Sequence, residues 1–242
     1  MSDTGKTPLR ILHTSDLHLA LLGDKECHSL ETVVDAACQA KVDLVIIAGD
    51  LFDHNRVDDN VVSFAVEQLR RLPMYVAILP GNHDCLTPNS PYERTHLWQD
   101  CANVQIFRSS EGEMLDLPGL GLSLWGRAFD SYEGDFLPLV GIPQPEWDGQ
   151  WHIAVAHGYH VGDDPPLFPS FHITHKEIVG SGWDYIALGH LITFKCVSDG
   201  PVKAFYSGSP SASGAVAVVD LSEETGVQVS RCSLWDGKSG IV

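Results

Sequence analysis

The stretch LRILHTSDLH at residues 9–18 consists of a strand-length apolar run followed by polar side chains. The same order recurs in LVIIAGDLFD at residues 44–53 and in YVAILPGNHD at residues 75–84. Amphipathic segments of helix length, residues 30–40 and 61–72, lie between these runs. Such alternation is typical of parallel strands joined by helices, so we predict an α/β fold that begins with strands at 9–14, 43–48 and 75–79.

The second half of the chain has short apolar runs separated by Gly and Pro, which predict a second, more antiparallel sheet. Thr174 and Glu177 have the spacing of a capping box, so a short helix should open there before Gly180. Residues 131–150 lack periodicity and are predicted to form a loop. Because no linker is evident, we predict one domain over residues 1–242. The strands predicted in this half span residues 113–117, 122–126, 152–156, 185–188, 203–206, 215–221 and 227–234.

Composition excludes several classes of protein. The chain has 242 residues, and 15 Lys or Arg against 32 Asp or Glu give a formal charge of −17. A hydrophobic fraction of 44% supplies a core, and a surface this acidic disfavours nucleic acid as a partner. Six cysteines without a CxxC pair indicate neither a zinc ribbon nor a disulfide scaffold. The polar N-terminus and the short apolar runs lead us to expect a cytoplasmic protein with no membrane attachment.

Polar side chains follow each of the first three predicted strands. They are Asp16 and His18, then Asp50 and Asp53, then Asn82, His83 and Asp84. Two later strands continue the pattern, because they end at His157 and His190. Any one of these residues has an ordinary explanation in turn chemistry, but ligands gather at the carboxyl ends of strands in α/β proteins. Their convergence on one edge therefore favours a functional site.

The residue types at that edge indicate a metal centre. A mixture of Asp, Asn and His suits Mn²⁺, Fe²⁺ or Zn²⁺, whereas a purely oxygen-based set would suit Ca²⁺ or Mg²⁺. The candidate ligands outnumber what one ion needs, and a carboxylate can bridge two ions. We therefore expect two divalent cations, with Mn²⁺ as the first choice.

The series Asp-x-His, Gly-Asp-x-x-Asp, Gly-Asn-His-Asp, His and Gly-His resembles the calcineurin-like metallophosphoesterase superfamily. LHTSDLHL at 12–19, GDLFD at 49–53 and YSGSP at 206–210 further resemble the catalytic domain of its Mre11/SbcD-like DNA-repair exonuclease branch. The resemblance implies a four-layer α/β/β/α sandwich of two mixed sheets flanked by helices. It also implies hydrolysis of a phosphoester, in which a metal-activated water attacks phosphorus.

The resemblance further implies roles for individual residues. Asp16 and His18 would bind the first metal, and Asp50 would bridge both metals. His83 would be the catalytic histidine that protonates the leaving group, and Asp84 is assigned beside it. Asp84 and Asp53 would hold the imidazoles in orientation. The remaining ligands, those of the second metal, would be Asn82, His157 and His190.

One position departs from the family pattern. The family usually ends this series in Gly-His-x-His, but this chain reads Gly189-His190-Leu191-Ile192. Three alternatives follow: the first site lacks a ligand and binds its ion weakly, or His160 substitutes, or the enzyme uses one metal. His160 could equally face substrate or solvent, and His54 lies close enough to Asp53 to help bind substrate.

Three functions compete. The first is a phosphoesterase, and more narrowly a phosphodiesterase, for a small or nucleotide-like substrate. The second is a DNA nuclease subunit that works with a coiled-coil ATPase, and the third is a metal-binding homologue without activity. Residues 128–175 contain seven acids and no Lys or Arg, which would repel a duplex. We therefore favour the small-substrate enzyme and expect no ATPase partner.

Overall fold

Two six-stranded sheets form the centre of the computed structural model, which describes residues 5–99, 101–146, 148–163 and 171–235. The strands, in chain order, are β1 (Leu9–Thr14), β2 (Leu44–Ala48), β3 (Tyr75–Leu79), β4 (Val104–Ile106), β5 (Glu113–Leu117), β6 (Leu122–Gly126), β7 (Trp151–His157), β8 (Tyr159–His160), β9 (His172–Ile173), β10 (Tyr185–Gly189), β11 (Lys195–Asp199), β12 (Lys203–Tyr206), β13 (Ala215–Ser222) and β14 (Gly226–Ser233). The helices are α1 (Lys25–Ala40), α2 (Asp59–Leu69), α3 (Thr95–Trp98), α4 (His175–Gly180) and α5 (Pro210–Ser213).

The first sheet has the strand order β14-β13-β1-β2-β3-β4. Strands β1 to β3 run parallel, as the sequence predicts, β4 joins β3 in the parallel direction although no strand was predicted there, and β13 pairs with β1 in the antiparallel direction. The last two strands therefore complete the first sheet, although the sequence placed them in the second. Their hairpin covers the edge of β1 that the helical crossovers leave open.

The second sheet has the order β11-β12-β10-β7-β6-β5. Its four central strands, β12, β10, β7 and β6, run parallel, and only the outer pairs are antiparallel. The prediction of a more antiparallel sheet is thus wrong. The long 127–150 connection and α4 provide crossovers, and a crossover of this length permits parallel pairing where a tight hairpin would not.

The two sheets pack face to face, with helices on their outer faces. Successive residues of β1 point to opposite sides, so Leu12 packs with α1 and α2 while Ile11 packs against the second sheet. Ile178 of α4 covers the outer face of the second sheet. These layers confirm the predicted α/β/β/α class. Burial of each such Leu or Ile side chain stabilises the fold by about 1.5–3 kcal/mol.

Two local predictions are confirmed, the capping box at Thr174 and the loop at 131–150. The side chain of Thr174 accepts a hydrogen bond from the main chain of Glu177, and Oε2 of Glu177 accepts one from the main chain of Thr174 at 2.7 Å. The predicted loop at 131–150 has neither helix nor strand in its described residues. All six cysteines are free thiols. Within the described ranges, no helix has the length and apolar character needed to cross a membrane.

Candidate active site

The polar residues that follow the strands meet at one edge of the two sheets. Strands β1 to β3 are parallel neighbours, so their carboxyl ends lie side by side. The loop after β1 runs along the loop after β2, because the main-chain N–H groups of Asp16 and His18 donate to Gly49 and Asp50 at 3.1 and 3.0 Å. From the second sheet, β7 and β10 end at the same place with His157 and Gly189.

The backbone is strained at four of the predicted metal ligands. Asp16, His18, Asp50 and His190 have φ values of 53°, 52°, 54° and 100°, in the left-handed region that most residues avoid. Strain of this kind persists only where surrounding contacts hold it, and it clusters at functional sites. One such contact is the hydrogen bond of 2.9 Å from the main-chain N–H of His190 to Oδ2 of Asp16.

Four side chains form a compact group of ligand atoms. Oδ1 of Asn82 lies 3.0 Å from Nε2 of His157 and 3.2 Å from Nδ1 of His190. Nε2 of His157 also lies 3.1 Å from Oδ2 of Asp50. Nδ1 of His157 bonds the main-chain oxygen of Ala48 at 2.9 Å, which turns Nε2 toward the group. The structure thus brings together the residues assigned to the second metal.

A second group shares Asp50 with the first. Nε2 of His18 lies 3.8 Å from Oδ1 of Asp16 and 3.9 Å from Oδ2 of Asp50. The other oxygen of Asp50, Oδ1, accepts the main-chain N–H of His83 at 3.0 Å. Oδ2 of Asp50 therefore faces both groups, as a bridging carboxylate should. The donor set of carboxylate, amide oxygen and imidazole fits two divalent cations such as Mn²⁺, Fe²⁺ or Zn²⁺.

Burial and charge shift the proton affinities of this cluster. Burial opposes charge on His157, but the carboxylates of Asp50 and Asp16 outweigh it and raise its pKa to about 9. Burial also opposes charge on Asp50, yet His157 lowers the pKa of Asp50 to about 2. His190 behaves oppositely, since burial and the neighbouring His157 lower its pKa to about 4.

His83 and His18 share Asp53 as their partner. Nδ1 of His83 donates to the main-chain oxygen of Asp53 at 2.9 Å, which leaves Nε2 for proton transfer. Nδ1 of His18 lies 3.1 Å from the carboxylate of Asp53, so Nε2 of His18 faces the metal group. The side chain of His83 is 44% exposed and therefore accessible to substrate. Asp53 thus contacts both imidazoles, and its orienting role stays a prediction.

Asp84 lies in a buried set of hydrogen bonds. Its carboxylate is fully buried and accepts hydrogen bonds from the main chain of Gly81 at 2.7 Å and of Phe52 at 3.0 Å, and from the hydroxyl of Tyr92 at 2.6 Å. None of these partners is an imidazole. Burial, and then the charge of Asp50, raise the pKa of Asp84 to about 6. The carboxylate therefore joins the loops after β2 and β3, where it bonds no imidazole among the described residues, while the assignment of Asp84 to catalysis stays a prediction.

Three other predicted positions lie around the centre. His160 is absent from the groups of described ligand atoms, so the geometry does not support its substitution for the missing ligand. Its main-chain N–H donates to the hydroxyl of Tyr206 at 2.8 Å. His54 is half-buried beside Asp53, and its Nδ1 is buried with no hydrogen-bond partner among the described residues. Ile192 is 55% exposed.

Sequence reasoning missed the residues that support Asp16 and Asp84. Ser209 Oγ donates to the main-chain oxygen of Asp16 at 2.7 Å, and Ser15 Oγ bonds both Asp16 and Ser207. The YSGSP stretch at 206–210 marked Ser207 and Ser209 as part of a family motif, but the sequence alone did not show what these serines contact. Tyr92 lies in no motif and had no signal of its own.

The family model for calcineurin-like phosphoesterases matches residues 9–194, which include every assigned ligand. The chain belongs to this family, whose members hydrolyse phosphoesters at two-metal centres. In particular, it is 27% identical over 230 residues to an uncharacterized metallophosphoesterase, YhaO of Bacillus subtilis, covering 85% of this chain and 54% of that protein. It is 23% identical over 202 residues to the DNA double-strand break repair protein Mre11 of Methanopyrus kandleri. This match covers 76% of this chain and 44% of that protein. The chain thus spans about half the length of these relatives.

Solved structures share the fold at low sequence identity. The TT1561 protein of Thermus thermophilus superposes with a TM-score of 0.62 at 13% identity, covering 94% of this chain and 100% of that chain. A dimetal phosphatase from Danio rerio superposes with a TM-score of 0.59 at 12% identity. The superposition covers 91% of this chain and 98% of that chain. These similarities support the fold. The resemblance to the Mre11-like branch is weaker than that to the family as a whole.

Proposed function

We propose that this protein is a metal-dependent phosphodiesterase that acts on a small or nucleotide-like substrate. The observation that carries the proposal is the position of Asp50 Oδ2, which lies 3.1 Å from Nε2 of His157 and 3.9 Å from Nε2 of His18, between the two groups of ligand atoms. The main-chain N–H of His83 donates a hydrogen bond to the same carboxylate. We propose Mn²⁺ as the preferred ion, with Fe²⁺ and Zn²⁺ as alternatives.

In this proposal, different residues bind the cations and donate the proton during hydrolysis. Asp16, His18 and Asp50 would hold one cation, and Asp50, Asn82, His157 and His190 the other. Cations bound there would polarise the phosphoryl oxygens and lower the pKa of water. His83, with Nδ1–H held by Asp53, keeps Nε2 free to donate a proton to the departing alcohol oxygen. The leaving group then departs as a neutral alcohol, and no covalent enzyme intermediate forms.

Charge supports a small substrate. Residues 128–175 contain no Lys or Arg, so this part of the chain supplies no cation for a nucleic-acid backbone. The preceding Arg127 is already engaged, because its guanidinium bonds the main-chain oxygens of Ser110 and Leu137 and lies over the ring of Phe136. On this proposal the catalytic reaction requires no ATPase partner and takes place in the cytoplasm.

A DNA nuclease is the second candidate, favoured by the similarity to the Methanopyrus Mre11 protein. The test is a reconstituted assay with Mn²⁺, Fe²⁺ or Zn²⁺ that compares bis(p-nitrophenyl) phosphate, p-nitrophenyl phosphate, single-stranded DNA and duplex DNA. We expect the highest kcat/KM for the small diester. Turnover of DNA far above that of the diester would overturn the proposal in favour of the nuclease, and an absence of turnover on all four would leave the non-catalytic homologue.

A further inference from the structure

Exposed apolar side chains follow several of the strands whose carboxyl ends meet at the candidate active site. Among the described residues, several large hydrophobic side chains are exposed to solvent in the segments that follow β1, β6, β7 and β10, one of them in the short strand β8. Isolated exposed apolar residues are common, but several of them in segments next to a functional site favour a role in ligand binding. The members of this group are Leu21, Leu22, Tyr132, Val140, Tyr159 and Ile192.

Tyr159 and Ile192 flank two of the proposed metal ligands. Tyr159 comes two residues after His157, and Ile192 comes two residues after His190. The rings of these histidines lie 5.1 Å apart. A hydrogen bond of 3.2 Å from Gly158 N to Gly189 O joins the two loops. Tyr159 is 47% exposed and Ile192 is 55% exposed, so both side chains remain available beside the metal ligands.

The loops that carry these two side chains are held in place. The main-chain N–H of Tyr159 donates to the main-chain oxygen of Phe171 at 2.9 Å. The ring of Phe171 lies 6.2 Å from that of His190 and 5.0 Å from that of Phe129. The main-chain oxygen of Ile192 accepts a hydrogen bond of 3.0 Å from Ser209, the residue that also supports Asp16. Positions fixed in this way can select a substrate by shape.

Three short segments beside the proposed metal ligands contain no Lys or Arg, although Arg127 opens the connection after β6 and Lys195 directly follows the last of the three. Residues 15–24, 158–163 and 190–194 include neither Lys nor Arg. A substrate with a second phosphate or a dianionic group would find no cation in these segments, whereas the proposed metal cations would balance a singly charged phosphodiester. The remaining ester group of such a diester would lie against apolar side chains.

We infer that Tyr159 and Ile192 determine specificity for phosphodiesters whose retained ester group, the one that is not expelled, is aromatic or aliphatic. This inference rests on the proposed function. Burial of a phenyl group in place of a methyl group removes several carbon atoms from water, which is worth about tenfold or more in kcat/KM. The side chains act on binding of the retained group, and proton transfer by His83 does not depend on them.

The test compares methyl p-nitrophenyl phosphate with phenyl p-nitrophenyl phosphate in the Mn²⁺-loaded protein. Both release p-nitrophenol, and the ratio of their kcat/KM values is divided by the ratio of their uncatalysed rates. We expect the wild-type protein to favour the phenyl ester by about tenfold or more. The double variant Tyr159→Ser, Ile192→Ser should lose most of this preference, while Tyr159→Phe alone should retain it.

Tyr75→Ser is the matched control. Tyr75 is 44% exposed like Tyr159, but it opens β3 at the opposite edge of the sheet, so this variant should keep the preference. Circular dichroism and metal content establish that each variant is folded and loaded. If the wild-type protein hydrolyses both esters with a corrected ratio near one, or if the double variant keeps the full preference, the inference is wrong. If it hydrolyses neither ester, the proposed function itself fails.

Discussion

Nε2 of His157 lies 3.1 Å from Oδ2 of Asp50, and both side chains are almost completely buried, at 0% and 2% exposure. Without metal, the attraction of the carboxylates outweighs the cost of burial and holds a proton on His157 with a pKa of about 9. This proton occupies the position at which a ligand's lone pair should meet a cation. Metal binding must therefore displace it.

Proton release on metal binding is the first prediction. Because the pKa of His157 is raised, its imidazolium persists at neutral pH and is lost only as pH rises through about 9. The dissociation constant for Mn²⁺ should thus fall by about tenfold or more per pH unit between pH 7 and 8.5, and at least about one proton should leave per chain, because, although burial opposes charge there, the carboxylates of Asp16, Asp50 and Asp53 also raise the pKa of the ligand His18. Calorimetry in two buffers of different ionisation enthalpy measures that proton. His190, with a pKa lowered to about 4, is already neutral and releases none. An affinity independent of pH over this range would contradict the account.

The second prediction concerns Tyr92, whose hydroxyl donates a hydrogen bond of 2.6 Å to the buried Asp84. Tyr92→Phe should lower the free energy of unfolding of the metal-free protein by about 1–3 kcal/mol, because a buried carboxylate loses a donor. Because the pKa of Asp84 is raised to about 6 in the folded protein, ionisation of this carboxyl group lowers the free energy of unfolding as the pH rises toward that value. The loss in Tyr92→Phe should therefore be larger at pH 8 than at pH 5. Urea denaturation at pH 5 and at pH 8 measures the free energy of unfolding of both proteins.

Tyr185→Phe is the control for this prediction. Tyr185 is equally buried, and its hydroxyl bonds Nδ1 of His13 at 2.8 Å, a neutral partner whose pKa burial lowers to about 3. Tyr185→Phe should lower the free energy of unfolding by less, about 0.5–1.5 kcal/mol, and by the same amount at pH 5 and pH 8. Equal losses in the two variants at pH 8 would show that the charge of Asp84 is not the cause.

Much of the fold and site was predictable from the sequence, because the signals were local. The strands at 9–14 and 75–79 begin and end where predicted, and the polar residues after them lie together because parallel strands end at one edge. The position of β13 beside β1 could not be predicted, since strand pairing depends on contacts between distant segments. The contacts of Asp84 were missed for the same reason: its partner Tyr92 lies on a separate turn outside the motif.

The third prediction concerns Ile192, which replaces the family's usual histidine. Ile192→His should lower the Mn²⁺ concentration needed for half-maximal rate, because it adds an imidazole to the group of Asp16, His18 and Asp50. We expect a change of about tenfold, measured by metal titration of both binding and turnover. Thr193→His, at the next exposed position, is the matched control and should change neither. If Ile192→His produces no gain, another group already completes the site.

The most direct test of the central claim compares the wild-type protein with His83→Ala. Both are loaded with Mn²⁺, and their metal content and turnover of bis(p-nitrophenyl) phosphate are measured together. His83 donates from its ring to the main-chain oxygen of Asp53 and is no ligand in our assignment, so metal content should stay the same. Turnover should fall by about 10²–10⁴-fold. His96→Ala, exposed on α3, should match the wild type. Unchanged turnover in His83→Ala with both metals bound would contradict the proposed mechanism.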